Sequence, residues 1–163
     1  MYLYKNLRSV KNILYSVFLI CCCWSCNSLD VFEKNVFFPK HEWASNNQPS
    51  FEFQIVDTTA TYHIYVVVRH EDAFRYKNLW LNITTQAPDN KPLAQKVNLV
   101  LANNANGWLG TGMDDVFDHR IRITQSPIHL KKGIYRFTLQ QIMREDPLLY
   151  MLNAGIRVEK TKL

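Results

Sequence analysis

Cysteine is missing from almost the whole chain. The 163 residues contain four cysteines, and they lie at positions 21, 22, 23 and 26. Residues 27–163 therefore offer no disulfide framework, no cysteine-ligated zinc site and no cysteine nucleophile. This part of the chain also lacks the sustained apolar stripe of an amphipathic helix. The best local helical candidate is residues 146–152, which fit one short turn.

The N-terminal apolar run is too short to be a transmembrane helix. It covers residues 13–24, whereas a helix needs about 20 apolar residues to span a bilayer. Three bases precede it, and Ser25 and Cys26 follow it. This is the layout of a bacterial lipoprotein signal. We predict that residues 1–25 are cleaved and that Cys26 is lipidated. Cleavage after Ser25 without lipidation is the alternative, because Trp24 is bulkier than the usual residue at its position.

Excess charge of one sign is also absent once the signal is removed. The sequence has 19 lysines and arginines and 14 aspartates and glutamates. Three of the bases belong to the signal, so the remaining 138 residues carry a net charge of +2. Acids and bases are interspersed, whereas nucleic-acid binding needs bases clustered on one face. We therefore expect no nucleic-acid partner.

Alternation of apolar and polar residues is the dominant pattern that is present. A period of two is typical of half-buried β-strands. It runs through residues 51–55, 62–69, 78–83, 97–101, 120–123, 135–140 and 154–159. The run 62–68 is apolar on both faces, which indicates a central strand or one with a face covered by a loop. Arg120 and Arg122 alternate with Ile121 and Ile123, which places these arginines on a solvent face.

Turn-forming residues separate these segments and set the predicted architecture. Asn, Asp, Gly and Pro cluster at 46–49, 57–59, 88–90, 103–107 and 131–133. Seven or eight short strands, each apolar on one face, predict an all-β fold, namely a two-sheet antiparallel β-sandwich. We divide the chain into a signal peptide at 1–25, a lipid tether and N-terminal segment at 26–49, and a β-sandwich domain at 50–163.

The N-terminal segment is too apolar to be a free linker. Its large apolar side chains are Phe32, Val36, Phe37, Phe38 and Trp43. We expect them to pack on the sandwich.

Residues 107–112 read GWLGTG and form the most unusual segment. A phosphate-binding loop needs its glycines between a strand and a helix N-terminus. No helical pattern follows here, and no lysine follows the last glycine. We predict a glycine-rich strand or bulge with Trp108 packed on the core.

An acidic cluster follows this segment. Asp114, Asp115 and Asp118 stand close enough in sequence to suggest a Ca²⁺ site, with His119 beside them. The further ligands of a calcium-binding loop are missing, so a solvated turn capped by aspartate side chains is favoured. The five histidines and the few serines form no recognisable acid–base or nucleophile motif. We therefore assign no catalytic residue, no cofactor and no metal ligand.

Two short motifs suggest covalent modification. Residues 57–59 read Asp-Thr-Thr and fit a short O-glycosylation motif, with Thr58 as the acceptor. A simple turn held by hydrogen bonds of Asp57 and Thr58 is the favoured alternative. Residues 82–84 match an N-glycan sequon but lie inside a predicted strand.

Several segments resemble one family in their order and spacing. They are residues 31–33 with Trp43, 51–53 leading to 57–59 and Tyr62, the segment 107–112 with 115–116, and the closing residues 140–144 and 154–160. Together they resemble the GldH family of gliding motility lipoproteins from the Bacteroidetes, over most of residues 30–160. The chain departs from the family at 145–153, where the family often has an acidic loop.

This resemblance implies a lipoprotein of the gliding or secretion machinery, and the family offers no catalytic residues to transfer. We therefore expect a non-catalytic interaction module, anchored to a membrane of the cell envelope by its lipid and most plausibly facing the periplasm. Two alternatives stay open. One is a carbohydrate-binding module that uses the outward-facing Trp80 and Tyr65. The other is a hydrolase that uses the carboxylates of Asp114, Asp115 and Asp118.

Overall fold

The computed structural model describes residues 31–161, and all regular structure in this range is β-strand. No helix in this range is long and apolar enough to cross a membrane. The strands are β1 Val31–Phe37, β2 Glu42–Trp43, β3 Ser50–Ile55, β4 Thr61–Glu71, β5 Asn78–Gln86, β6 Leu93–Val100, β7 Ala102–Asn103, β8 Gly107–Trp108, β9 Thr111–Met113, β10 Val116–Arg122, β11 Ile128–His129, β12 Gly133–Gln141, β13 Leu148–Leu149 and β14 Met151–Lys160.

These strands form two main sheets, in which every pair is antiparallel. The larger sheet has six strands in the order β1-β14-β4-β10-β9, and β11 also pairs with β4. The smaller sheet has four strands in the order β3-β12-β5-β6. Two short ladders, β2–β13 and β7–β8, complete the structure. The prediction of an all-β antiparallel fold is confirmed.

One hydrophobic core lies between the two sheets. Phe53 of β3 stacks on Tyr135 and Phe137 of the neighbouring β12, with ring centroids 5.6 and 5.5 Å away. Phe32 of β1, in the other sheet, contacts the same ring at 5.4 Å. Alternation along β3 and β12 placed Phe53, Tyr135 and Phe137 on inward faces, and Phe32 adds a contact from β1 that alternation did not predict. Aromatic pairs of this kind contribute roughly 0.5–1.5 kcal/mol each beyond the area that they bury.

Strand β4 is the central strand of the larger sheet, as its two-sided apolar pattern predicted. Val67 points away from the core, yet it is buried. Its neighbours across the sheet are Gly155 of β14 and Arg120 of β10. Nε of Arg120 reaches within 3.6 Å of the Glu33 carboxylate on β1, so the Arg120 side chain crosses over β4 and β14. This side chain therefore shields Val67 from water.

The N-terminal segment belongs to the structured domain. Strand β1 pairs with β14 along its whole length. Trp43 is fully buried, stacks on Phe38 at 5.2 Å, and donates its Nε1–H to the Asn47 carbonyl at 2.8 Å. The expected packing is therefore confirmed for Phe32, Phe38 and Trp43. It is wrong for Val36 and Phe37, which are exposed on β1. The segment also contributes a strand that alternation alone did not reveal.

Residues 146–152 do not form the helical turn that the sequence suggested. Leu148 is fully buried and pairs with Trp43 in the β2–β13 ladder. The carboxylate of Asp146 accepts hydrogen bonds from the backbone N–H and the hydroxyl of Ser45, at 2.8 and 2.5 Å. Backbone pairing with the N-terminal segment therefore decides the conformation here. This segment lies about 100 residues away in sequence, so local preference did not show the pairing.

Candidate functional site: a groove beside strand β10

The GWLGTG segment folds against β10, and two of its glycines make this close approach possible. A Cβ atom at Gly110 would lie 2.6 Å from the Asp118 carbonyl oxygen and 2.9 Å from the His119 ring. A Cβ atom at Gly112 would lie 2.7 Å from the Phe117 ring. Glycine is required at position 110, because the nearest atom there is backbone, whereas a Cβ atom at position 112 would force the Phe117 ring to shift. The predicted glycine-rich strand is confirmed. Its glycines allow the segment to pack closely on β10.

Trp108 packs on the edge of the core, as predicted. Its ring lies 4.4 Å from the His70 ring in an edge-on arrangement and also contacts Phe117 at 5.8 Å. Its Nε1–H donates to the Asp72 carboxylate at 2.7 Å. The partly buried indole therefore closes one side of an aromatic cluster that surrounds two histidines.

His70 and His119 form a buried pair inside this cluster. Their Nε2 atoms are 2.9 Å apart, and the two side chains are 0% and 2% exposed. Nδ1 of His70 lies 2.7 Å from the Glu71 carbonyl oxygen, which only accepts hydrogen bonds, so Nδ1 of His70 carries a proton. In the neutral pair, Nε2 of His70 is then the acceptor and Nε2–H of His119 is the donor. The backbone carbonyl thereby fixes the tautomers of both rings.

Burial keeps this pair uncharged. It lowers the pKa of His70, against the opposing effects of the Glu71 carbonyl and of Asp72. It also lowers the pKa of His119 to about 4, with a further decrease from the neighbouring His70 and an opposing effect of Asp118. A proton added to both rings would place two N–H groups against each other, which would break the contact between the Nε2 atoms.

Sequence reasoning missed this pair, although a signal for it was present. His70 stands two residues after Val68 on the inward face of β4, and His119 stands two residues before Ile121 on the inward face of β10. The period of two therefore places both rings in the core. The sequence could not show the register between β10 and β4. That register places His119 opposite Val68, which is two residues from His70 on β4.

A groove of about 630 Å³ opens beside this cluster. One wall is β10 from Asp118 to Arg122, and the other is formed by Val100 and by residues 109–111. Its apolar lining includes Val100 and Leu109, which are 52% and 46% exposed. The groove lies where β10 of the larger sheet and the end of β6 in the smaller sheet come together.

The edge of β10 that faces the groove is open. Strand β9 pairs with β10 only from Val116 to Asp118, and it ends there. No strand of residues 31–161 pairs with this edge from His119 to Arg122, while the opposite edge stays paired with β4 throughout. An open strand edge is a template for pairing with another chain.

Charged side chains border the groove. The Asp118 carboxylate binds Arg69 at 2.7 Å, and Arg120 shares the Glu33 carboxylate with Arg157. Arg122 is exposed and has no carboxylate partner among the described residues. The predicted solvent face of Arg120 and Arg122 is confirmed. The groove thus combines an open backbone edge, apolar side chains on its walls and the exposed Arg122 side chain.

The acidic residues after the glycine-rich segment do not come together as one site. Asp114 and Asp115 form the two-residue turn between β9 and β10, and Asp114 has a positive φ of 52°. Asp118 lies further along β10, in its ion pair with Arg69. Among residues 31–161, no group of three or more histidine, cysteine, aspartate or glutamate side chains is placed to hold a metal ion.

The Asp-Thr-Thr motif forms an exposed turn between β3 and β4. The Asp57 carboxylate accepts hydrogen bonds from Lys160 Nζ at 2.7 Å and from the backbone N–H of Thr59 at 2.9 Å. These bonds hold the pKa of Asp57 well below its usual value, with the Lys160 contact as the largest cause. Thr58 is exposed, and its hydroxyl has no hydrogen-bond partner in the described part of the chain. Cys26 lies outside the described residues.

The two aromatic residues that were expected to face outward differ in exposure. Trp80 of β5 is 42% exposed, whereas Tyr65 of β4 is partly buried and contacts His63 edge-on at 6.2 Å. They lie on different sheets, so they form no common platform. The sequon at residues 82–84 lies within β5, as expected.

The described residues define an all-β protein with two packed antiparallel sheets and a groove at one open edge. The chain belongs to the GldH lipoprotein family, whose model matches residues 30–158. It is 25% identical to a gliding motility lipoprotein GldH homolog of Christiangramia forsetii, over 95% of this chain and 99% of that protein. It is 21% identical to gliding motility lipoprotein GldH of Flavobacterium johnsoniae, over 84% of this chain and 89% of that protein.

Among solved structures, the chain is similar to dimeric latent PorU from Porphyromonas gingivalis. The TM-score is 0.37 at 10% identity, and the likeness covers 86% of this chain but only 14% of that one. A similarity at this level carries no argument about function.

The buried histidine pair predicts that the protein loses stability in mild acid. Both rings bind protons more weakly in the folded than in the unfolded chain, so the unfolded state takes up more protons as the pH falls. The free energy of unfolding should therefore decrease between pH 6.5 and 4, by on the order of 2–3 kcal/mol. Denaturant titrations at a series of pH values measure this decrease.

A double variant, His70→Phe with His119→Phe, is the matched control. Phenylalanine keeps an aromatic ring at each position but binds no proton, so the loss of stability over the same pH range should be clearly smaller. An identical pH dependence in wild type and variant would contradict the assignment.

Proposed function

We propose that this chain is a lipid-anchored, non-catalytic interaction module of the gliding motility apparatus in the bacterial cell envelope, facing the periplasm. The observation that carries the proposal is the family match over residues 30–158, together with two relatives that are both named gliding motility lipoproteins. The chain spans nearly the full length of both relatives, so the likeness concerns the whole protein and not one shared module.

The lipid anchor rests on the N-terminal signal and Cys26. Four residues, and so five Cα–Cα steps, lie between Cys26 and Val31, where β1 begins. A chain extends by at most about 3.6 Å per residue, so β1 starts within roughly 18 Å of the lipidated cysteine. A lipid on Cys26 would therefore keep the start of β1 close to the membrane surface.

An interaction role agrees with the chemistry of the groove. Apolar side chains of Val100, Leu109 and Ile121 line part of it, Arg122 stands at its border, and its backbone edge is open, which are features of protein recognition. The hydrolase alternative finds less support, because Asp118 is neutralised by Arg69 while Asp114 and Asp115 form an exposed turn. A hydrolase that works with a pair of carboxylates needs both of them beside one substrate.

Deleting the gene in the native host should abolish or strongly reduce the spreading of colonies over a surface. Wild-type sequence supplied from a plasmid should restore spreading, and Cys26→Ser should not, because each buried CH₂ of an acyl chain contributes about 0.8 kcal/mol to membrane retention. A deletion strain that spreads and secretes normally would refute the proposal. Full restoration by Cys26→Ser, with that variant processed and released, would refute the anchor.

Thr58 is proposed as an O-glycosylation site. It lies at the tip of an exposed turn where Asp57, Thr59 and Lys160 fix the backbone while the Thr58 hydroxyl points free. A transferase needs such an accessible loop. The turn and the modification are compatible, because the hydrogen bonds of the turn do not use Thr58.

One mass measurement tests both modifications. The protein purified from its native host should have the mass of residues 26–163 plus acyl chains plus a glycan. Thr58→Ala should remove only the glycan increment, and Cys26→Ser should remove the lipid increment, in a chain that is either released or left with its signal uncleaved. Thr59→Ala serves as the matched control and should keep both. A wild-type mass equal to polypeptide plus lipid would eliminate the glycan.

A carbohydrate-binding role is the second candidate, and one observation favours it. Trp80 is exposed on a face of the smaller sheet where its neighbours are uncharged amides: Asn98 directly across, and Asn78 and Asn82 along the strand. Aromatic rings flanked by amides bind sugars by stacking and hydrogen bonding. This role predicts binding to glycans on an array that Trp80→Ala abolishes, while an array without binding would exclude it.

A further inference from the structure

The hydrogen-bonding direction of β10 shows which of its backbone groups face the groove. The N–H of Ile123 donates to the Ile64 carbonyl of β4 at 2.9 Å. Alternate residues of a strand direct their N–H and C=O groups to the same side. His119 and Ile121 therefore pair with β4, whereas Arg120 and Arg122 direct theirs toward the groove. The same alternation directs the N–H and C=O of Asp118 to the groove side of β10. The Asp118 carbonyl oxygen does face Gly110 on that side.

The edge from residue 119 to residue 122 thus presents two N–H and two C=O groups that an added strand would satisfy. Such a strand would continue the line of β9, which stops pairing at Asp118. It would lie within the existing groove of about 630 Å³ and would not need the sheets to separate. Backbone pairing of this kind supplies affinity without regard to sequence, and side chains on the two faces supply specificity.

The side chains around the edge define the sequence that fits. On the inward side of an added strand lie Ile121, Val100 and Leu109, which favour apolar residues. On the outward side lies Arg122, which favours a carboxylate directly across the pair, whereas the Arg120 side chain is directed over β4 toward Glu33. Since side chains alternate along a strand, the fitting segment alternates acidic and apolar residues.

Electrostatics also exclude a second copy of this chain as the occupant. Two β10 edges that pair with each other in antiparallel fashion would bring Arg120 and Arg122 of one copy next to the same arginines of the other. Like charges directly opposite are destabilising.

We propose that the groove along β10 binds an extended acidic–apolar alternating segment of a partner protein as an added β-strand. This proposal rests on the interaction role proposed above and specifies where the partner is bound and by what chemistry. Arg122 is the main specificity residue, because it is exposed and has no carboxylate partner among residues 31–161.

The probe is a capped, fluorescein-labelled seven-residue peptide in which valine and glutamate alternate, titrated against the full-length chain in mild detergent. We expect saturable binding that weakens at least fivefold in Arg122→Glu. A peptide with lysine in place of glutamate should show the reverse preference and bind Arg122→Glu better than wild type. Arg144→Glu, which reverses an exposed arginine outside the groove, is the matched control and should bind like wild type.

Two further measurements separate strand addition from simple charge attraction. The glutamate peptide methylated on alternate backbone nitrogens should bind at least tenfold more weakly when the methyl groups face β10. Hydrogen exchange at the amides of Arg120 and Arg122 should slow when the unmodified peptide is added. Equal affinity for methylated and unmodified peptide, or unchanged exchange at both amides, would overturn the proposal.

Sedimentation of the chain without peptide should give a monomer. A dimer that Arg122→Glu alters would assign the groove to a second copy and overturn the proposal. Absence of peptide binding in a chain that restores gliding would refute the groove assignment and leave the interaction role intact. Normal gliding in the deletion strain would refute that role whatever the peptide does.

Discussion

Pairing of β4 on both of its edges is the constraint on which the larger sheet depends. β4 joins β14 on one side and β10 and β11 on the other, so it connects the N-terminal strand to the strand beside the groove. Its inward side chains fill the core, and its outward Val67 is covered by Arg120, whose guanidinium approaches Glu33. A single strand thus carries hydrophobic burial on both faces. This strand also holds His70, so the position of the histidine pair follows from the same pairing.

Glycines decide how closely some neighbouring segments of the larger sheet approach one another. Gly155 of β14 leaves room for the Asn35 side chain, since a Cβ atom there would lie 1.8 Å from the Asn35 amide oxygen. Gly110 and Gly112 likewise let the glycine-rich segment lie on His119 and Phe117. These glycines serve packing, because none of the three has a positive φ. The groove has its shape because the backbone at Gly110 lies against β10.

The open edge of β10 and its neighbouring charges separate this face from the rest of the surface. Elsewhere on the larger sheet arginines and glutamates satisfy each other: Arg157 contacts Glu33 at 2.7 Å and Glu159 at 3.3 Å. Toward the groove, by contrast, Arg122 has no carboxylate partner among residues 31–161.

Alternation in the sequence determined the class of fold, the inward and outward faces of the main strands, and the solvent face of Arg120 and Arg122, because the period of two is a property of each strand alone. The apolar N-terminal segment was likewise recognisable as packed. Only the tertiary structure decided that this segment is a sheet strand, that residues 148–149 pair with it, and that His70 meets His119. It also decided that β9 leaves part of β10 unpaired. Each of these depends on which distant strands become neighbours and in what register, and a local pattern carries no information about either.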